Sequence, residues 1–131
     1  DLKQVMNNSI DIKKAQLVAD RALIMNNQYS TEYKEALKEL NDTKKKTEKD
    51  FRETYKNLKE SVKKIDKQTK KIKLAYKKYK VSLKKYRKGL ISVRQLNEDK
   101  DMYLNAKNIK EDMKIDLLIE NLRYQLVKRG F

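Results

Sequence analysis

Seam positions in the middle of the chain recur at alternating steps of three and four. From Tyr55 they run through Leu58, Val62, Ile65, Thr69, Ile72, Tyr76, Tyr79 and Leu83 to Tyr86. A period near 3.5 predicts a long helix that supercoils left-handedly against neighbours. Tyr33, Leu37, Leu40, Thr47 and Phe51 carry the seam backwards, with Lys44 interrupting it. The two four-residue steps from 47 to 55 read as a stutter that relaxes the supercoil. Ahead of this helix lies the polar cluster Asn26 to Thr31, where Ser30 or Thr31 can cap it and Glu32 suits its first turn. A helix over 31–86 would extend roughly 80 Å at 1.5 Å per residue.

Two shorter helices flank it. Residues 2 to about 29 carry a small-residue stripe, Ala15, Ala19 and Ala22, suited to close helix contact, with Leu17, Val18, Ile24 and Met25 as bulk beside it. The other runs from about Ser92 to Arg129. Ser92 is its N-cap, and Gln95 completes a capping-box pattern. Glu98, Asp99 and Asp101 follow where the helix dipole favours acids. Its apolar residues are sparse at first and crowd toward Ile115, Leu117, Leu118, Ile119, Leu122, Leu126 and Val127. Lys128 and Arg129 precede Gly130, an ordinary C-terminal stop.

Gly89 is the only other glycine, and proline is absent. Since these residues are the strongest helix stops, the chain turns back once, at Gly89. The expected fold is all-α, a long antiparallel coiled-coil hairpin of three helices over about 2–29, 31–86 and 92–129. It forms a single elongated domain spanning 1–131, with its tip turn at 86–92. Short connections set both outer helices antiparallel to the middle one. Their combined length, about 66 residues against about 56, places them nearly end to end along it.

Composition narrows the function classes. Charged residues make up 40% and hydrophobic residues 38%, without Trp, Cys or His. Thiolate and imidazole metal sites and the triads that need either group are therefore absent. There is no Gly-rich phosphate loop, and scattered Asp/Glu pairs on exposed helices are ordinarily solvated. The expectation is no enzyme, no cofactor and no metal. No stretch approaches the roughly 18 apolar residues of a membrane-spanning helix, and no signal-peptide pattern is visible. The chain is expected to be soluble, as a mature form or a fragment. Of the +15 net charge, +13 lies between Lys56 and Lys88, with fifteen Lys or Arg against Glu60 and Asp66. An anionic partner is one reading. A solvated helix face is preferred, because Tyr76, Tyr79 and Tyr86 fall on the seam and do not alternate with the basic groups as strand-binding aromatics would.

The tip, together with the helix lengths, resembles the TolC family of outer-membrane efflux channels. The match comprises Tyr86, Gly89 and Leu90, then Val93 and Leu96. It continues into Tyr103-Leu104-Asn105-Ala106-Lys107, which is similar to the family's Leu-Tyr-Asn-Ala-Lys run with two residues exchanged. The tail from Leu117 to Leu122 ending in Gly130 fits the family's returning helix. Asn8 to Ala15 is similar to the stretch opening its short upper helix, with Ser9 in place of proline. The resemblance implies a periplasmic helical tunnel segment for drug efflux or type I secretion, one repeat of it, in an outer-membrane protein of a double-membrane bacterium. It implies homotrimers in the full-length family, and docking of the tip onto a periplasmic adaptor that connects to an inner-membrane pump. The docking residues would be Tyr86, Gly89, Leu90 and Val93. The gate candidates would be Tyr86, Gln95 and Glu98, with Gln95 standing where relatives carry an acid. The β-strands that build the family's barrel are missing between the upper and long helices, so this chain has no membrane span of its own. Two other readings stay open. One is an adaptor-protein α-hairpin, which would need flanking β segments. The other is a BAR-like basic helical module binding anionic membrane; a nucleic-acid partner is not expected.

Overall fold

A computed structural model describes residues 1–131. Four helices, with no strand, make up the chain: α1 (Leu2–Asn8), α2 (Ile10–Met25), α3 (Thr31–Arg87) and α4 (Val93–Arg129). The middle and last helices begin and end within a residue of the bounds read from the seam. The first does not. A single helix over 2–29 is replaced by α1 and α2, broken at Ser9, and α2 stops at Met25.

Ser9 makes this break by leaving the helical region, with φ −54° and ψ 120°. Its N–H still donates to the Val5 carbonyl and closes α1. Its hydroxyl accepts the Ile12 N–H at 3.3 Å and opens α2, the local satisfaction that makes serine a good N-cap. Ser30 does the same for α3 through the Tyr33 N–H, and Ser92 for α4 through the Gln95 N–H.

Helix ends are equally well defined. After α3 the Leu90 N–H donates to the Lys85 carbonyl and the Gly89 N–H to the Tyr86 carbonyl. After α4 Phe131 and Gly130 repeat the pattern on Leu126 and Val127. Both are Schellman motifs, whose C′ residue takes a left-handed conformation. Gly89 has φ +71° and Gly130 φ +98°. A Cβ on Gly89 would meet nothing within 4 Å, so only backbone strain opposes substitution there. Gly89→Val is expected to cost about 1–2 kcal/mol and Gly89→Asn less, because asparagine tolerates this region. Chemical denaturation of the two variants checks the order, and equal costs would contradict a strain-limited turn.

The chain divides into two units, Asp1–Leu58 with Glu120–Phe131, and Lys59–Ile119. The first unit holds every buried hydrophobic residue: Val5, Ile12, Ala19, Ala36, Leu40, Phe51 and Tyr124. One cluster joins α2 to α3 through Ile12, Ala19, Ala36 and Leu40, with Ala15 and Ala22 packed against it. This is the small-residue stripe seen in the sequence, and small side chains let the two backbones approach. Leu17, Val18, Ile24 and Met25 stay more than half exposed. The second cluster joins α1, α3 and α4 through Val5, Phe51 and Tyr124, edged by Leu2, Leu58 and Val127. Val5 is fully buried, because three helices surround it.

The break at Ser9 is what allows that third helix. It sets α1 beside the last turns of α4, where the Tyr124 hydroxyl bonds Asp1 at 2.6 Å and the Asn8 side-chain amide donates to the Lys128 carbonyl at 3.2 Å. The Ile10 N–H then donates to the Gly130 carbonyl at 3.2 Å. The positive start of α2 thus faces the negative end of α4, a favourable dipole arrangement.

In the second unit, α3 and α4 pair antiparallel without a fully buried apolar residue. Its buried residues are Gln68, Ser82 and Asp99, while Ile65, Ile72, Tyr79 and Leu83 are half-buried. With polar side chains at the contact, this helix pair leaves its seam half open to water.

Candidate functional site

The residues singled out by the sequence all belong to the second unit, at the last turn of α3, the turn that follows it and the first two turns of α4. The Gly89 motif folds Lys88 to Ile91 back tightly, and Ser92 starts α4 immediately afterwards. This geometry leaves large apolar side chains without cover. Leu90 is 67% exposed, Val93 55% and Tyr86 42%. The four docking candidates are thus gathered at one end of the hairpin, on a turn held by backbone bonds.

Of the gate candidates, Gln95 and Glu98 are exposed. Glu98 accepts from Arg94, one turn earlier, at 3.2 Å, an exposed i,i+4 pair of small energetic weight. It lies with Lys78, Asp99, Asp101 and Met102 along an open groove of about 610 Å³. No group of three or more acids is placed to hold a metal ion.

Sequence reasoning put Asp99 among acids favoured by the helix dipole and missed its main role. Asp99 is buried against α3, where the Ser82 hydroxyl donates to its Oδ2 at 2.5 Å and Lys78 Nζ stands 3.0 Å from Oδ1. One more cross-link follows on the same pair of helices, the Gln68 amide donating to the Ala106 carbonyl at 2.8 Å. Ser82 and Gln68 each sit one position before a seam residue, Leu83 and Thr69, so a pattern of apolar spacing passes over them. The available signal was their place at a step of three from Tyr79 and Ile65, which a 3.5-residue period also brings inward.

The Ser82 hydrogen bond chiefly, and the Lys78 ammonium next, hold the Asp99 carboxyl below its ordinary range against the opposing effect of burial. A carboxyl with a depressed folded pKa contributes stability above its unfolded value, lost as pH falls through the folded one. Lys78 is 60% exposed, so water screens its part. Asp99→Asn is therefore expected to cost about 1–2 kcal/mol at neutral pH. That gap should persist down to about pH 4, the unfolded value, and close below it. Urea unfolding of both proteins between neutral and acid pH measures this, and a gap unchanged in strong acid would refute the assignment.

Aromatic contacts reinforce the pairing. Tyr103 meets Tyr76 at 5.1 Å and Tyr79 at 6.3 Å between ring centroids, while Lys80 and Lys107 lie over the Tyr76 and Tyr103 rings. These tyrosines thus serve the helix pair, as the seam positions of Tyr76 and Tyr79 suggested. No helix is long and apolar enough to cross a membrane. Compared with known proteins, the chain matches no family model, no curated protein and no solved structure.

Proposed function

We propose that the chain is a non-enzymatic helical tunnel segment of a TolC-like outer-membrane channel in the periplasm, serving efflux or type I secretion. Its tip docks onto the helical hairpin of a periplasmic adaptor. The observation that carries this reading is the turn itself. A Schellman motif on Gly89 holds Leu90 and Val93 outward, and an adaptor's apolar heptad residues could pack on them. The tandem placement of the outer helices belongs to the same reading, supported by the Gly130 carbonyl that meets the Ile10 N–H.

A wall segment also needs neighbours. On α4, Ile115 and Leu118 of the second unit, and Leu122 and Leu126 of the first, each remain at least half exposed, apolar side chains that neighbouring wall helices would cover. The test of docking is Leu90→Ser with Val93→Ser, titrated against an adaptor hairpin of this channel class by calorimetry. Truncating two exposed anchors at about 1 kcal/mol each predicts at least a tenfold loss of affinity, with helix content unchanged. A wild-type protein that ignores such hairpins, or a double variant that binds as well, would end the docking assignment.

A further inference from the structure

Lys44 interrupts the apolar seam of α3 between Leu40 and Thr47, and the first unit gives it no partner. Its helical neighbours at three and four residues are Leu40, Asn41, Thr47 and Glu48, of which only Glu48 is acidic. The Glu48 carboxylate is already held by Arg52 at 2.7 Å. Lys13 on α2 is placed alike. Ser9, Ile10, Gln16 and Leu17 flank it at the same spacings, and none of them is charged. Neither ammonium therefore has an acid one helical turn away that is free to pair with it.

Both lysines line one groove of the first unit, with a volume of about 580 Å³. Met6 reaches it from α1, and Ile12 and Leu17 from α2, so it spans the break at Ser9. These three side chains give it an apolar floor, with Met6 half-buried, Ile12 buried and Leu17 exposed. No carboxylate lines it, in contrast to the groove beside Glu98. A volume within the range of small-ligand pockets, apolar lining and a few convergent polar groups make up an ordinary binding site. Snorkelling accounts for the Lys44 stem on apolar surface. It does not account for a second unpaired ammonium over the same floor.

We propose that this groove binds a medium-chain aliphatic carboxylate, its head held by the Lys13 and Lys44 ammoniums and its chain laid on Met6, Ile12 and Leu17. Charge and shape select this chemistry together. An aliphatic cation would meet two like charges with no acid to offset them. A nonionic chain would leave both ammoniums unpaired, and a bare anion such as acetate would leave the floor in water. The carboxylate amphiphile answers both needs, pairing the charges and covering the apolar side chains. The site lies in the first unit alone, so the proposal does not rest on the channel reading.

Calorimetric titration of the whole chain with decanoate, below its micellar concentration, is expected to show a single site of micromolar affinity. Octanoate should bind about tenfold more weakly, the effect of two methylenes withdrawn from the floor. Decyltrimethylammonium, with the same chain and the opposite charge, should bind at least tenfold more weakly than decanoate. Lys44→Met, which restores an apolar seam residue, and Lys13→Gln should each lower decanoate affinity about fivefold. Lys70→Gln with Lys77→Gln removes two charges from the second unit and should leave it unchanged, which separates the groove from general attraction by the +15 net charge. The Met6 methyl signal in a carbon-13 spectrum should shift with decanoate, and circular dichroism verifies that the variants keep their helix content. A wild type that ignores decanoate, a cationic probe that binds as well, an unmoved Met6 signal, or equal losses from the groove and second-unit lysines would overturn the site. The hairpin titration reads the tip in the other unit, so failure of either reading leaves the other standing.

Discussion

Phe51→Ala is expected to destabilise the first unit by about 3 kcal/mol, the low end for removing a buried phenylalanine. The ring is 7% exposed and is the wholly apolar aromatic member of the cluster with Val5 and Tyr124. Its centroid lies 5.7 Å from that of Tyr124. Removing it leaves Val5 and Tyr124 facing a void, and it loosens the docking of α1 by taking away the α3 side of the pocket that encloses Val5. For a unit of this size the loss corresponds to a fall of roughly 15 °C in melting temperature. Circular dichroism during heating measures it. Tyr55→Ala offers the comparison: Tyr55 also meets the Tyr124 ring, at 6.2 Å, but is 46% exposed and should cost clearly less. Equal effects would mean that the cluster is not the centre of the unit.

The second large effect is expected at Gly130. A side chain there faces two penalties that Gly89 does not combine. The left-handed φ of +98° costs a substituted residue about 1–3 kcal/mol. The added Cβ would also fall 2.0 Å from the Asn8 carbonyl oxygen and 2.6 Å from its carbon, where backbone and not a flexible side chain must yield. The helices would have to part at this point, losing the bonds from Ile10 to Gly130 and from Asn8 to Lys128, at about 1 kcal/mol each. Gly130→Ala is therefore expected to cost about 3 kcal/mol, against about 1 kcal/mol for Gly89→Ala, which meets open space. Denaturation of the pair, with amide exchange at Ile10 as a local probe, separates the two glycines. An unprotected Ile10 amide in wild type, or the same cost at both positions, would remove Gly130 from its structural role.

These two residues also show where the sequence was and was not legible. Phe51 was placed on the seam by spacing alone and is buried there, and Leu40 likewise. Ala19 was placed by its small size and sits in the α2–α3 contact. The turn at Gly89 was readable because a lone interior glycine in a chain without proline has few other tasks. Ser9 was not readable as a break. Serine neither stops a helix as proline does nor favours left-handed backbone, so its neighbours' helical pattern outweighed it. The same limit hid the second unit's polar contacts. Asp99 looked like one of three acids near a helix start, and only the position of α3 distinguishes it from Glu98 and Asp101. The tip residues were legible as a group, since they are contiguous in the chain.

By its own pattern the amino-acid sequence determined the helical state, the seam, the cap at Ser92, a cap at Ser30 or Thr31, and both glycine-terminated ends, because each depends on residues within a few positions of one another. Tertiary structure alone decided which seam residues are enclosed. Burial requires close cover from neighbouring helices, and the fold supplies it around Val5 and along the α2–α3 contact and not along the α3–α4 seam of the second unit. It also decided the break at Ser9, where Gly130 and Asn8, distant in the chain, come close enough for backbone contact to outweigh local helix preference. The pairing of Asp99 with Ser82 and Lys78 has the same origin: a carboxylate is held ionised by donors that arrive from another helix.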